Sequence, residues 1–447
     1  MTTQTWIPLL ADQLPPSTLA WDLPSRLKAS TDYAWFSPVL WERLRDRVAD
    51  AVVTPTTEEE LDIAVGFAVE HRIPLTVRGG GTGNYGQAVP LAGGLVLDMS
   101  RLDRVLEIIP GSIRCQAGAR LGTLEKISRE HGQELRMFPS TYKKATIGGF
   151  VQGGSGGIGS ITWGTLWDDL VSSVRGKTAT QPVETFEAQD AAVMPYLHSY
   201  GLLGIVTELT VRLAPKTDWD QWVISFDRFE TALRFAQAIA ENTTLAKRLI
   251  SLHESPIAGY FTPLYLDSAR SVVLLEIAAD HRQPFEAEVK RAGGHVAIHW
   301  ESQRYHHGVG ISDFSWNHTT LWARKFSPQM TYLQARFDWH RVHEQIALLK
   351  RQYPEVLIHL EMMKSDGQLM ASGLPLLPFV DEGRLNRIIQ FCRDQGIGIA
   401  NPHTWLLDEG GRTPPWDLFW HIKQQHDPFH LLNPGKVGPL STSVTAG

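Results

Sequence analysis

The sequence predicts an α+β protein in two unlike parts. Two observations carry that reading. Residues 44–215 are rich in glycine and break into short strand-like and helix-like runs. Residues 216–425 alternate apolar strand runs with amphipathic helices, the pattern of an antiparallel sheet covered by helices. A last segment, 426–447, carries "DPFHLLNPGKV". Residues 1–43 form an N-terminal extension ahead of these parts.

In the first part, Thr57 and Glu60 have the spacing of a capping box. Leu61, Ala64, Val65, Ala68 and Val69 follow at the spacing of a helical stripe. "IPLTV" and "GLVLDMS" read as strands, "RVLEIIPGSIRCQAGA" as a hairpin with a Pro-Gly turn, and "LGTLEKISREHG" as a helix stopped by Gly132. In the second part, "QWVISF", "SVVLLEIA", "HVAIHW", "TYLQARF" and "LIHLEMM" read as strands. "ETALRFAQAIAEN", "WHRVHEQIALLKRQ" and "EGRLNRIIQFCRDQ" read as the covering helices.

Composition excludes several classes. A net charge of −6 with scattered basic residues gives no nucleic-acid face. Two cysteines, Cys115 and Cys392, support neither a disulfide framework nor a thiolate zinc site, and both lie in apolar patterns as buried thiols. The N-terminus has no signal-peptide pattern, and no apolar run approaches the ~20 residues that span a bilayer. The expectation is a soluble, cytoplasmic protein without a membrane span.

The stretch "RGGGTGNYG", 78–86, matches G-x-G-x-x-G from Gly81, and Asp103 lies about 20 residues on, where a ribose-binding acid would stand. A Rossmann loop must open a helix, because the helix N-terminus holds the pyrophosphate. Here "QAVPLAGGLVLDMS" follows, with a proline, a Gly-Gly pair and a strand, so the match is coincidental. Five glycines in nine residues still suit an anion nest of backbone N–H groups. A second tract, 138–174, has seven glycines between Gly148 and Gly159 and no periodicity of a core element. It reads as irregular backbone wrapped on an extended ligand, with Ser140, Thr146 and Ser155 as hydroxyl partners. "GLLGIVTELTVRLAP" is a strand entered through Gly204.

Taken in order, "RGGGTG", then "PS…ATIGG…GGSGG…WG", then "GLLGIVTELTVRL" resembles the PCMH-type FAD-binding domain of the vanillyl-alcohol oxidase and p-cresol methylhydroxylase superfamily. The resemblance covers 44–215 and the C-terminal segment. It implies two α+β subdomains holding extended FAD, a cap domain over 216–425 covering the reactive ring, and a C-terminal return to the flavin. The implied cofactor residues are Arg78, Gly79, Gly80, Gly81, Thr82, Gly83 and Asn84 in the first loop, and Pro139, Ser140, Thr146, Gly149, Gly154, Ser155 and Gly156 in the second tract. Gly204, Ile205 and Val206 would follow at the strand, with Asn433 and Lys436 beside the ring. Relatives that bind flavin covalently use a histidine of the first loop or a cysteine of the second; 78–87 holds no His and 138–164 no Cys, so FAD is expected to be non-covalent unless a cap histidine links it.

The implied activity is oxidation of a hydroxylated small molecule by hydride transfer to flavin N5, with an unidentified electron acceptor. That chemistry needs a base for the hydroxyl proton and, for an acid substrate, a cation for the carboxylate. His403 in "IANPHTW", His359 and Glu361 on one strand face, and Arg336 in "QARFD" are the candidates. The cap is similar to that of D-2-hydroxyacid dehydrogenases, where a G-N-L-H element matches "ANPH" here. Their further metal-binding histidine position is Gly396, and their E-H-G motif has no good counterpart, since "DEGG" lacks histidine and "YHHGVG" stands upstream. No metal is therefore expected, and a 2-hydroxy acid is the leading substrate. The alternatives are a sugar or aldonolactone enzyme of the same fold, or a flavin-binding subunit of a larger complex.

Overall fold

A computed structural model describes residues 3–304, 308–410 and 414–438. The first part of the chain builds two sheets. In one, Ala51–Val53, Leu95–Asp98 and Leu75–Arg78 run parallel, and Leu19–Ala20 adds an antiparallel edge. Trp6, Leu10 and Leu14 enter the same core, so the helix Thr3–Ala11 and the turn after it pack onto this sheet. The helix Glu58–Glu70 crosses over it and buries the whole expected stripe. Its cap differs in detail from the expected box. Thr57 Oγ1 accepts the N–H of Glu60 at 3.2 Å, but the Glu60 carboxylate reaches one residue further back, to the N–H of Thr56 at 2.7 Å.

The second sheet is antiparallel and orders Val105–Ile109, Ser112–Gln116, Ile205–Pro215, Val171–Lys177 and Thr185–Gln189. Ile205–Pro215 is its spine, and Gln133–Leu135 pairs with the far end of that strand. The second glycine tract is more regular than its sequence suggests. Ile147–Gly153 is a helix whose N-cap Thr146 accepts the N–H of Gly149 at 3.2 Å, and Ser160–Trp163 is a short helical turn. Ile147, Phe150 and Val151 supply one buried face at helical spacing; glycines dilute that pattern below recognition.

The cap is an eight-stranded antiparallel sheet in the order His295–Trp300, Trp219–Phe226, Ser271–Ala278, Lys247–His253, His359–Ser365, Gln368–Gly373, Gln334–Phe337, Gly398–Ala400. The helices Phe229–Glu241, Val342–Gln352 and Glu382–Asp394 cover one face, packing on Ile250, Leu252, Leu360 and Met362. Strand alternation turns Ser251, His253, His359 and Glu361 to the opposite face. "TYLQARF" is not one strand. Met330–Tyr332 pairs with Leu376–Pro378 in a separate two-stranded sheet, and Gln334–Phe337 joins the large one. Arg248, fully buried, ties the eight-stranded sheet to the first part of the chain: it bonds Glu276 at 2.8 Å and lies 3.8 Å from Glu125 and Glu134. The chain returns with the helix Trp416–His426, whose Phe419 enters the second sheet's core, and Leu432 then bridges to Leu75 of the first sheet. Among the described residues, no helix is long and apolar enough to cross a membrane.

Candidate functional site

The first glycine loop leaves the carboxyl end of the strand Leu75–Arg78, where parallel α/β sheets bind ligands. No helix follows it, as the sequence requires. Space at the loop is exhausted on the protein side. A Cβ on Gly79 would lie 2.1 Å from Thr146 Oγ1, and one on Gly80 would lie 2.3 Å from the Lys144 carbonyl oxygen. Gly81 has φ +59°, and a Cβ there would strike the Arg78 guanidinium at 2.0 Å. Among the described residues, the N–H groups of Gly80, Gly81, Thr82 and Gly83 have no protein acceptor. They are open donors on a wall that only glycine can form. Gln87 ties the loop to the second tract by donating to the Gly153 carbonyl at 2.9 Å.

Loop and tract together line one cavity. The walls include Arg78, Gly79, Gly80, Gly81, Thr82, Gly83 and Asn84, then Pro139, Ser140, Thr146, Gly149, Gly154, Ser155, Gly156 and Val206. Gly204, Ile205, Asn433 and Lys436 do not line it. Gly204, at φ +147°, packs against the Phe186 ring, and Ile205 is core. Asn433 donates to the Tyr200 carbonyl, and its own N–H donates to Leu75 O at 2.7 Å. Lys436 donates to the carbonyls of Gly86 and Val89, and burial pulls its ammonium down to about 7. Both C-terminal residues brace the cavity wall from behind: backbone carbonyls occupy their side-chain nitrogens, while Asn433 Oδ1 is buried without a partner among the described residues. Arg78 is engaged through one nitrogen, Nη1, which donates to Ala29 O at 3.1 Å and Thr31 O at 2.8 Å.

None of the four expected chemical residues reaches the cavity. His403 is buried with both ring nitrogens engaged, Nδ1 with Ser37 Oγ at 2.8 Å and Nε2 with Tyr332 O at 2.9 Å. Burial depresses its pKa to about 4. Arg336 is exposed, since its strand partners Ala335 and Phe337 face inward and alternation turns it out. His359 and Glu361 do share a strand face, 2.9 Å apart, but both are fully buried one layer behind the wall.

The cap side of the cavity is instead made by Trp316, Asn317, His318 and Gln334, with Tyr85 from the end of the glycine loop. His318 is half-buried; burial lowers its pKa, opposed by Asp313. The Tyr85 hydroxyl hydrogen-bonds Gln334 and Tyr332, and burial raises its pKa. His198 also lines the cavity, its Nδ1 2.6 Å from the Gly154 carbonyl. Sequence reasoning missed these residues. "SWNHTTLWARKF" reads as the start of an ordinary amphipathic helix, and only the turn before Asn317 aims it at the cavity. "YHHGVG" begins with Tyr305, His306 and His307, which lie outside the described residues. Among the described residues no group of three or more His, Cys, Asp or Glu could hold a metal ion.

Residues 49–177 match the family model of the FAD binding domain. These residues are an FAD-binding domain. The first loop, with open N–H groups and no room for a Cβ at Gly79, Gly80 or Gly81, fits the pyrophosphate of an extended dinucleotide, and the second tract continues the wall. Curated relatives match part of the chain. D-lactate dehydrogenase of Archaeoglobus fulgidus is 30% identical over 206 residues, 42% of this chain and 44% of that protein. Glycolate oxidase subunit GlcD of Escherichia coli (strain K12) is 30% identical over 189 residues, 40% of this chain and 38% of that protein. D-2-hydroxyglutarate dehydrogenase of the same strain is 34% identical over 128 residues, 27% of this chain and 12% of that protein. The matched stretch thus spans less than half the length of these relatives. The fold likeness extends further. A solved alkyldihydroxyacetonephosphate synthase superposes with a TM-score of 0.73 at 16% identity, covering 96% of this chain and 84% of that one. Neither cysteine touches the FAD-binding cavity; burial pushes the Cys115 and Cys392 thiols up to about 12.

Proposed function

We propose that the protein is an FAD-linked oxidoreductase acting on the CH–OH group of a small molecule, with a 2-hydroxy acid as substrate class. The observation that carries this reading is one continuous cavity. It is walled on one side by the glycine tracts of an FAD-binding domain and on the other by Trp316, Asn317, His318 and Gln334 of the cap. The relatives named for D-lactate, glycolate and D-2-hydroxyglutarate support the substrate class. When bound, FAD supplies the hydride acceptor. His318, held toward the neutral imidazole by burial, takes the hydroxyl proton. Asn317 and Gln334 orient the substrate through amide hydrogen bonds. Non-covalent FAD remains part of the proposal; FAD that stays with acid-precipitated protein would point to His198 or His318 as a linking residue.

One observation favours a second reading. The only Lys or Arg among the described lining residues is Arg78, and its Nη1 already serves two carbonyls. The rest of the described lining carries no lysine or arginine, an arrangement that suits a sugar or aldonolactone equally well. Anaerobic bleaching of the flavin with D-lactate, glycolate, D-2-hydroxyglutarate and a set of sugars and aldonolactones tests both. Bleaching by a hydroxy acid is expected. Bleaching by sugars alone selects the second reading, and a flavin that stays oxidised with every compound removes both and leaves a flavin-binding subunit.

A further inference from the structure

Trp316 holds a backbone conformation, φ +50° and ψ −140°, that a bulky side chain rarely adopts. It is followed directly by Asn317 and His318, and all three line the cavity. In front, the indole is pressed on the second glycine tract; a Cβ on Gly156 would lie 2.9 Å from its ring. Behind it stands Glu361. One carboxylate oxygen, Oε1, accepts three donors: the Trp316 N–H at 2.6 Å, the Ser251 hydroxyl at 2.8 Å and the His359 ring Nε2 at 2.9 Å. His359 in turn stacks on His253, with ring centroids 4.4 Å apart. Thr319 lies 3.1 Å from His253 Nε2 and donates to the Phe314 carbonyl at 2.7 Å, bracketing the same turn. Ser251, His253, Thr319, His359 and Glu361 are all at most 1% exposed, so water supplies no substitute for the carboxylate.

We propose that Glu361 is a positioning residue whose carboxylate clamps the strained Trp316 backbone and thereby sets Trp316, Asn317 and His318 as the cap wall of the FAD cavity. The role of that wall in substrate oxidation rests on the function proposed above; the clamp itself does not. A strained residue persists only where its surroundings over-determine it. Here the determinant is a buried side-chain oxygen that is shared with two further partners, which fix its own position. Removal of the carboxylate frees Trp316 to relax and carries its two neighbours with it.

The test compares Glu361→Gln and Glu361→Ala in the FAD-loaded protein. Glu361→Leu replaces the alanine variant should that one not fold. The first readout is the visible circular dichroism of the bound flavin without substrate, which reports the wall around it. Glu361→Ala is expected to keep full FAD content and to change this spectrum. Glu361→Gln, which retains an oxygen for the Trp316 N–H, is expected to restore it. The second readout is flavin reduction by D-lactate. Glu361→Ala should slow it about a hundredfold with a raised KM, as misplacement by about 1 Å does. Glu361→Gln should stay within about threefold of the unaltered protein, because a neutral acceptor keeps most of the hydrogen bond. An unchanged spectrum in Glu361→Ala, or a glutamine variant as altered as the alanine one, overturns the clamp. A protein whose flavin D-lactate does not reduce counts against the substrate reading, while the spectra still decide the clamp.

Discussion

The glycine loop Gly79–Gly83 and the turn Trp316–His318 line the same cavity and are built from opposite materials. The loop offers backbone N–H groups and works because its side chains are missing; a Cβ at Gly80 would meet a carbonyl oxygen that cannot yield. The turn offers an indole, an amide and an imidazole, and works because a buried carboxylate holds them. A cofactor common to many proteins is held by backbone, which leaves a compact mark in sequence. A substrate peculiar to one protein is met by side chains whose placement depends on distant strands.

The difference predicts where single substitutions act. The largest effect belongs to the loop. Gly80→Val should reduce FAD content of the purified protein, read from flavin absorbance per chain, to background, because the Lys144 backbone cannot move aside. Normal FAD content would make the loop a mere turn. Next is His318→Asn, expected to keep FAD and to slow flavin reduction by roughly 10²–10⁴-fold, the usual worth of a placed base. The pH dependence follows from the direction of its shift. Burial lowers the pKa, so the neutral, competent ring persists below the ordinary histidine value of about 6.5. Reduction in the unaltered protein should hold through that pH and decline only in more acid solution. A decline centred at or above it would remove His318 from the chemistry.

His403 separates stability from chemistry. His403→Ala should lower the unfolding free energy by about 1–3 kcal/mol, measured by urea titration, through loss of two buried hydrogen bonds. Its effect on flavin reduction should be small. Its folded pKa of about 4 lies below the unfolded value of about 6.5, so the unfolded chain binds more protons between those limits. Stability from this group is therefore present above about 6.5 and is lost as pH falls toward 4. His403→Gln should flatten that slope. The smallest effect is expected at Arg336. Its side chain is exposed, so Arg336→Ala should leave substrate affinity unchanged, and a marked loss would show that the outer end of its strand reaches the substrate.

Much of this architecture can be traced to local pattern. The Thr57 cap, the Leu61–Val69 stripe, the Gly132 stop and the strand Ile205–Pro215 each follow from a few adjacent residues. The helix Ile147–Gly153 escaped notice because glycines interrupt its apolar face, and "TYLQARF" divides between two sheets because the chain changes neighbours at Leu333. For His359 and Glu361 the period of two correctly put both on one face, yet it carries no information about what stands in front of that face.

By itself the sequence determined the FAD-binding glycine tracts, the absence of a Rossmann helix and the α+β pattern of the second part. These depend on glycine conformations, strand alternation and helical stripes, all set within a few residues of the chain. Only the tertiary structure decided which polar groups reach the cavity. It buried His403 against Ser37 and Tyr332, turned Arg336 outward and brought the Trp316–His318 turn against Gly156. A buried polar side chain and a cavity-lining one obey the same local pattern. They differ only in what lies beyond them, and the packing of segments hundreds of residues apart supplies that difference.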